Sequence, residues 1–180
     1  AFADEDLPWL AGVGASVLVS VAGGSAVEFA QVATRLTRSP AFGSVVGLEV
    51  NISCPNVANR GLVFAIDPLA SAKVVSLVRE ATPAGIPVLA KLSPDVTDLV
   101  AVASACLTAG ADGLTMINTT LGMAIDVERM RPHLAGITGG LSGPAIRPVA
   151  VRAIWQVRGA MIAGRIPTAP IIGVGGVASG

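Results

Sequence analysis

The sequence has little charge and only two cysteines. Charged residues make up 13% of its 180 residues, and twelve basic side chains balance twelve acidic ones. This neutrality gives no electrostatic reason to expect nucleic acid or an anionic membrane surface as a partner. Cys54 and Cys106 are far apart without a second Cys or His at ligand spacing, which argues against a disulfide framework and a zinc site. The simplest location is a reducing compartment, the cytoplasm.

Several familiar catalytic patterns are also missing. The sequence has no Ser/His/Asp arrangement, no P-loop lysine pattern and no paired-carboxylate motif, and its one histidine, His133, is predicted to lie at the surface. Residues 7–27 carry no charge, but Pro8 and four glycines interrupt them, so a short helix, a turn and a buried strand fit better than a membrane span. The initiator Met is absent and the sequence stops inside a glycine-rich turn, so we expect a piece of a longer protein.

What the sequence does have is a high apolar content arranged in a regular alternation. Hydrophobic residues reach 52% and the mean hydropathy is +0.71, which predicts strands buried on both faces, an oligomer interface, or both; the expected oligomer is a homodimer. Five apolar runs of strand length alternate with four segments of helical periodicity. The predicted strands are 15–21, 45–51, 86–92, 113–118 and 170–174, and the predicted helices are 25–37, 67–82, 97–109 and 144–163.

Strict alternation of strands and helices predicts an α/β fold with right-handed crossovers and a parallel sheet. Periodicity alone leaves two architectures open, a doubly wound open sheet and a closed (β/α)8 TIM barrel. Polar residues follow four of the strands, at 51–56, 91–94, 118–120 and 173–176. Active sites of barrels are assembled from many strand ends, so this distribution favours the barrel. We expect residues 1–180 to form one barrel domain, truncated at both ends.

The strand ends also supply the candidate chemistry. Lys91 ends an apolar strand, where it could complement an anionic ligand or a developing negative charge; alternatively, its stem packs while its head reaches solvent. Asn51, Asn56 and Asn118 each offer a paired donor and acceptor, which suits an imide or amide ring. A polar turn is the competing interpretation of residues 51–56.

Two glycine clusters and the two cysteines complete the candidates. Glycines at 139–143 and 173–176 would let backbone amides approach a phosphate, with turn formation as the competing interpretation. The position of Gly175 and Gly176 after a late strand favours the phosphate site, which in barrels commonly lies at the last two loops. Cys106 is predicted to pack in a helix. Cys54 lies in a polar cluster with no His placed to activate it, so as a base it would act near the ordinary thiol pKa of about 8.5.

Five motifs, in order over nearly the whole chain, resemble dihydroorotate dehydrogenase. They are Asn51-Ile-Ser-Cys-Pro-Asn56, Ala90-Lys-Leu-Ser-Pro94, Gly113-Leu-Thr-Met-Ile-Asn-Thr119, Gly139-Gly-Leu-Ser-Gly-Pro144 and Ile171-Ile-Gly-Val-Gly-Gly-Val177. The resemblance implies an FMN-containing (β/α)8 barrel that oxidises dihydroorotate to orotate in pyrimidine biosynthesis. Cysteine in the first motif resembles class 1, and residues 115–126 look most like class 1B. That branch pairs with an iron-sulfur flavoprotein subunit and passes electrons to NAD.

The resemblance also implies a role for each candidate residue. Cys54 would remove a proton from C5 of dihydroorotate while hydride leaves C6 for N5 of FMN. Lys91 would contact the flavin and stabilise its reduced, anionic form, and residues 57–66 would form a lid. The other implied positions are substrate contacts at Asn51, Asn56, Asn118 and Thr119, and FMN phosphate contacts at Ser142, Gly143, Gly175 and Gly176.

Two features depart from the family pattern. The lid lacks the usual glycine pair and Phe-Gly-Thr ending. The five strands would correspond to strands three to seven, so a lysine, an asparagine and an eighth strand that the family uses would be absent. Two other interpretations therefore stay open: another FMN barrel that acts on a reduced pyrimidine, and a non-catalytic fragment that cannot hold FMN.

Overall fold

The structure is a computed structural model that describes residues 1–53 and 65–179. Five parallel strands form the main sheet, and α-helices lie in the connections between them. The helices are α1 (Asp6–Gly12), α2 (Ala26–Thr37), α3 (Pro68–Ala81), α4 (Leu99–Thr108) and α5 (Arg147–Ile162), with 3-10 turns at Phe42–Ser44 and Gly143–Ile146. The strands are β1 (Val17–Val21), β2 (Val45–Val50), β3 (Val88–Leu92), β4 (Gly113–Met116), β5 (Thr120–Gly122), β6 (Ile125–Asp126), β7 (Arg131–Pro132), β8 (Gly139–Leu141) and β9 (Ile171–Gly173).

The order in the main sheet is β1-β2-β3-β4-β9, and every pair in it is parallel. All five predicted strands and all four predicted helices are present, with ends that differ from the prediction by at most three residues. The short helix and the strand predicted within residues 7–27 are α1 and β1. No helix in residues 1–53 and 65–179 is long and apolar enough to cross a membrane.

Side-chain caps determine where three of the helices begin. The Ser25 hydroxyl accepts a hydrogen bond from the Glu28 amide at 3.2 Å, and the Glu28 carboxylate accepts one from the Gly24 amide at 2.7 Å. Asp67 accepts from the Leu69 amide at 2.9 Å with proline at the first helical position, as its sequence predicts. Asp98 caps α4 in the same way. Because caps satisfy amides that have no partner within the helix, they hold the helix starts in register with the preceding strands.

The two faces of the sheet differ in chemistry. Successive side chains on a strand point to opposite faces, and residues paired across parallel strands share a face. One face packs against the helices, and its strand residues are buried and apolar: Val19, Val21, Leu48, Val50, Val88, Ala90, Leu92, Leu114 and Met116. The other, which we call the inner face, carries Ser20, Glu49, Lys91, Thr115 and Ile172. The prediction that every strand is covered on both faces is therefore wrong for the outer strands, where Leu18 and Ile172 are 43% and 44% exposed.

A guanidinium joins several segments at the end of the sheet opposite the polar strand ends. Arg79 Nη1 donates to the Ile86 carbonyl at 2.9 Å and to Asp112 Oδ2 at 3.0 Å. Its Nη2 donates to the carbonyls of Thr82 and Pro83 at 3.0 and 2.9 Å. Asp112 Oδ2 also accepts from the Val88 amide at 2.8 Å, so one ion pair ties α3 to the starts of β3 and β4.

Replacing Arg79 with methionine should destabilise the protein. The substitution keeps much of the apolar stem but leaves four acceptors to water, and hydrogen bonds from charged groups contribute about 2 kcal/mol each at most in such half-exposed places. We expect the free energy of unfolding in urea to fall by about 2 kcal/mol. Arg35→Met is the matched control, because Arg35 pairs with Asp4 at the surface, and it should cause no measurable loss. Equal losses in the two variants would contradict the role given to Arg79.

The connection between β4 and α5 contains two small antiparallel ribbons that the sequence pattern does not predict. One ribbon pairs β5 with β8, and the other pairs β6 with β7. Each strand has only two or three residues, which is too short for a period of two to be visible. The ribbons expose many large apolar side chains: Leu121, Met123, Ile125, Val127, Met130, Leu134, Ile137 and Leu141.

Candidate active site

Two of the predicted carboxamides meet at the carboxyl ends of the strands. Asn118 Nδ2 donates to Asn51 Oδ1 at 3.1 Å and to the Ser53 hydroxyl at 2.8 Å, with a longer contact to the Ser53 carbonyl at 3.3 Å. The Ser53 hydroxyl lies 3.3 Å from Asn51 Oδ1 and 3.2 Å from the Lys91 carbonyl. The backbone is held as well, since the Asn51 amide donates to Val21 and the Asn118 amide to Leu92. Three strand ends therefore share one polar network.

This network crosses the sheet. Asn51 follows β2 and Asn118 follows β4, with β3 between them. Neighbouring strands are about 4.8 Å apart, so two strands separated by a third are nearly 10 Å apart in a flat sheet. Short asparagine side chains span that gap when both project inward from a curved sheet, as on the inside of a barrel. The hydrogen bond from Asn118 to Asn51 is thus a sign that the inner face is concave.

The segment after Asn118 is tied down by its neighbours. Asn118 Oδ1 accepts from the Thr119 amide at 2.8 Å. Asp95, which follows β3, accepts from the Leu121 amide at 2.7 Å and from the Thr120 hydroxyl. The Thr119 side chain occupies the place that a Cβ on Gly140 would need. Thr119 is therefore positioned between the carboxamide network and the β5–β8 ribbon.

Lys91 lies on the inner face, where it forms an ion pair with Glu49. Its Nζ is 3.2 Å from Glu49 Oε1, and the two side chains are only 21% and 11% exposed. Glu49 is the one charged residue in the buried set of the described chain. On the next strand, Thr115 is paired with Lys91, and its buried hydroxyl has no hydrogen-bond partner among the described residues. The head of Lys91 is consequently held at the sheet, which differs from the alternative that it simply reaches solvent.

The two predicted glycine loops lie against each other. Gly143, Gly175 and Gly176 have positive φ values of 77°, 127° and 72°, which side chains with a Cβ rarely adopt. A Cβ on Gly176 would lie 3.0 Å from the Gly143 carbonyl and 2.8 Å from Arg147 Cβ. Arg147 Nε donates to the Gly176 carbonyl at 2.7 Å, and Ser142 is exposed beside Gly143. A cavity of about 350 Å³ opens between this loop and α5.

Three of the sequence predictions fall at least partly outside the part of the chain that the structure describes. They concern Cys54, Asn56 and, apart from its last two residues, the predicted lid at 57–66. The other cysteine, Cys106, is buried in α4 as predicted, and burial raises the pKa of its thiol to about 12. His133 is exposed, also as predicted.

Sequence reasoning gave no individual role to four residues that contribute to this site. Glu49 stands within an apolar run, and a charge in such a run was a usable signal because an unpaired buried carboxylate is costly. Ser53, Asp95 and Arg147 act through contacts to the backbone or to other polar groups, and residue type alone does not indicate these contacts.

The fold and the placement of the side chains together define a β/α protein of the barrel type, with its polar groups gathered at the carboxyl ends of the strands of a parallel sheet.

Comparison with known proteins identifies the family. The family model described as dihydroorotate dehydrogenase matches residues 5–180. The chain belongs to the dihydroorotate dehydrogenase family. Among its relatives is the protein named dihydroorotate dehydrogenase B (NAD(+)), catalytic subunit, from Geotalea daltonii, which is 53% identical over 99% of this chain and 55% of the relative. Proteins of the same name from Geobacter sp. strain M21 and Geobacter sulfurreducens are 50% and 48% identical over the whole chain.

These relatives confirm the resemblance to class 1B, but they are longer proteins. The chain spans about half the length of the curated relatives that it matches. A solved dihydroorotate dehydrogenase from Eimeria tenella, in complex with ferulenol, superimposes with a TM-score of 0.64 at 21% identity, over 86% of this chain and 43% of that one. At this identity the likeness shows the fold alone. It confirms the prediction of a partial (β/α)8 barrel over the open doubly wound sheet.

Members of this family are flavin-dependent enzymes, and the described residues of this chain fit such a group. The glycine loops approach each other too closely for a Cβ on Gly176, and the cavity of about 350 Å³ beside them has Arg147 as a cation in its lining. The inner face offers the Lys91 ammonium and an unpartnered buried hydroxyl on Thr115. These groups lie along one edge of the sheet, as a ligand with a phosphate at one end and a ring system at the other requires.

Proposed function

We propose that the complete protein oxidises dihydroorotate to orotate as the catalytic subunit of a class 1B dihydroorotate dehydrogenase, with FMN as its cofactor. The observation that carries this proposal is the network of Asn51, Ser53 and Asn118, which brings carboxamides from two strand ends into direct contact. Carboxamides pair with both the N–H and the C=O groups of a dihydropyrimidine ring. Residues 1–180 would be part of one FMN-binding barrel domain.

The proposed reaction removes a proton and a hydride from neighbouring carbons of the substrate. Cys54 takes the proton from C5 as its thiolate, and bound FMN supplies the acceptor for the hydride that leaves C6. Asn51, Asn56, Asn118 and Thr119 hold the pyrimidine ring so that both bonds are oriented for cleavage. Because Cys54 has no histidine partner, orientation and exclusion of water contribute more than the strength of the base.

FMN would be held at both of its ends. Ser142, Gly143, Gly175 and Gly176 would line its phosphate, where backbone amides at the start of a helix favour an anion. Lys91 would face the ring system, where negative charge accumulates as the cofactor is reduced. The two ends match the two groups of residues that the sheet brings to its carboxyl edge.

The relatives' names and the surface of the chain indicate its partners. Relatives called catalytic subunits work with another subunit, and we propose an iron-sulfur flavoprotein that passes electrons on to NAD. The band of apolar residues on the two ribbons, from Leu121 to Leu141, supports a homodimer. A cytoplasmic location fits an enzyme of pyrimidine biosynthesis.

The test is made on the complete protein purified from its source. It should be yellow with about one FMN per chain, and under single-turnover conditions dihydroorotate should bleach the flavin and yield orotate, whereas dihydrouracil should not. Bleaching by dihydrouracil alone would favour another FMN barrel acting on a reduced pyrimidine. A preparation that contains no flavin and takes up none would contradict the proposal.

A pair of glycine variants tests the cofactor site separately. Gly176→Ala places a Cβ 2.8 Å from Arg147 and 3.0 Å from Gly143, so FMN affinity should fall at least about tenfold, a change worth about 1.4 kcal/mol. Gly164→Ala is the matched control, because Gly164 has a similar φ of 66° but a Cβ at this position would have no neighbouring atom within 4 Å. Similar FMN affinities in the two variants, measured by fluorescence titration, would remove the glycine loop from the cofactor site.

A further inference from the structure

The ion pair between Glu49 and Lys91 is a feature of the inner face that the proposed reaction explains only in part. Lys91 has an assigned partner in the flavin, but Glu49 has no assigned role. Glu49 Oε1 lies 3.2 Å from Lys91 Nζ, and the carboxylate side chain is 11% exposed. Glu49 is therefore the part of the site that needs a physical explanation.

Stability alone gives a poor account of this pair. Taking two charges out of water costs more than their attraction commonly returns, and well-packed apolar residues in such places are often more stable. The neighbouring Thr115 adds to the cost, since its buried hydroxyl has no partner among the described residues. On the opposite face of the same strands the residues beside the pair are all apolar and fully buried: Leu48, Val50, Val88, Ala90 and Leu92. The sheet therefore does not need polar groups to pack at this place.

The geometry fits a positioning role. Lysine has four rotatable stem bonds and three donor hydrogens, so an unpaired ammonium on the inner face could take several positions. Glu49 and Lys91 lie on adjacent strands, and the burial of the Glu49 side chain limits the positions that its carboxylate can take. The hydrogen bond to Glu49 uses one of the three donors of Nζ, and the other two stay available to a ligand.

We propose that Glu49 is a positioning residue that holds the Lys91 ammonium on the inner face and sets how much positive charge this ammonium presents to bound FMN. The inference rests on the proposed function. The pair has no net charge, so each partner offsets the field of the other at the cofactor. When FMN takes up two electrons and one proton, it gains one negative charge, and its reduction therefore responds to the balance within this pair.

The test measures the ratio of reduced to oxidised FMN in the complete holoprotein, equilibrated with a redox dye of known potential. A unit charge about 10 Å away changes such an equilibrium roughly tenfold at an effective dielectric constant of about 20. Glu49→Gln should raise the ratio roughly tenfold, because it removes a negative charge and leaves the ammonium. Lys91→Gln should lower it by a similar factor. The double variant combines Glu49→Gln with Lys91→Gln, so its pair again has no net charge. Its ratio of reduced to oxidised FMN should lie within about threefold of the ratio in the unmodified protein.

Two further variants protect the test from effects on folding. Glu80→Gln makes the same chemical change on the exposed side of α3 and should leave the ratio unchanged, because exposed charges are screened. Glu49→Asp keeps the charge, and its ratio should stay closer to that of the unmodified protein than the ratio of Glu49→Gln does. If Glu49→Gln leaves the ratio unchanged while Lys91→Gln lowers it, Glu49 only supports the structure and the inference is overturned.

The double variant provides a second test of the inference about Glu49. A double variant that behaves like Lys91→Gln alone shows that Glu49 does not oppose the ammonium at the flavin, and the inference fails. These failures differ from a failure of the proposed function, in which the complete protein holds no FMN and no ratio can be measured.

Discussion

A complete protein with Cys54→Ser should oxidise dihydroorotate at least about a hundredfold more slowly while it keeps its FMN. A positioned general base contributes about a hundredfold to ten-thousandfold, and a serine hydroxyl ionises far less readily than a thiol. In the proposed reaction a proton leaves C5 as hydride leaves C6, so loss of the base should slow flavin reduction itself. Stopped-flow absorbance in a single turnover measures this step without interference from the proposed partner subunit.

The chain offers its own control for this substitution. Cys106 is the other cysteine, buried in α4, and its thiol has a pKa raised to about 12 by burial. Cys106→Ser should lower the stability because it places a hydroxyl in an apolar helix position, but flavin reduction by dihydroorotate should keep its rate. Equal rates of flavin reduction in Cys54→Ser and the unmodified protein would exclude Cys54 as the base.

Asn118→Asp should lower kcat/KM for dihydroorotate by about a hundredfold to ten-thousandfold. Sites built to hydrogen-bond a polar ring discriminate by such factors when a donor is lost. Asn118 Nδ2 donates to Asn51 Oδ1 at 3.1 Å and to the Ser53 hydroxyl at 2.8 Å. A carboxylate has the same shape but cannot donate to Asn51, so it repels that oxygen and should disturb the two proposed substrate contacts together.

Gln156 provides a matched control for the loss of a carboxamide. It lies exposed on α5, where it accepts a hydrogen bond from Arg152, and Gln156→Glu should leave kcat/KM unchanged. FMN content should be the same in both variants, because the contact proposed for Asn118 is with the substrate and not with FMN. A loss of kcat/KM of less than about threefold in Asn118→Asp would contradict the role proposed for this network in binding the substrate.

The regular elements were predictable because each carries a strong local signal. Asp67 before Pro68 marks the start of α3, and long runs of Val, Ile and Leu mark the strands. The β5–β8 and β6–β7 ribbons were not predictable, since strands of two or three residues show no period. Their pairing depends on contacts such as Leu121 to Asp95, which join segments 26 residues apart.

The site was predictable where chemistry depends on residue type and not where it depends on geometry. Asn51 and Asn118 stand out as carboxamides at strand ends, and the structure brings them together. Gly143 and Gly176 were predicted for the same ligand and meet in space. Glu49 was overlooked because its partner, Lys91, is 42 residues away, and only the pairing of β2 with β3 brings the two together.

The strand order has a consequence for the sequence of events in folding. β1, β2 and β3 each pair with the next strand along the chain, whereas β4 ends at residue 116 and its partner β9 begins at residue 171. Loop-closure entropy grows with the length of the connection, so we expect β9 to dock after the first four strands have formed. The glycine loop after β9 is then the last part of the site to assemble. A ligand that contacts both Gly143 and Gly176, as proposed for FMN, would bind the docked chain better than the undocked one, so its supply in the cell would help to decide how much of the newly made protein completes its sheet.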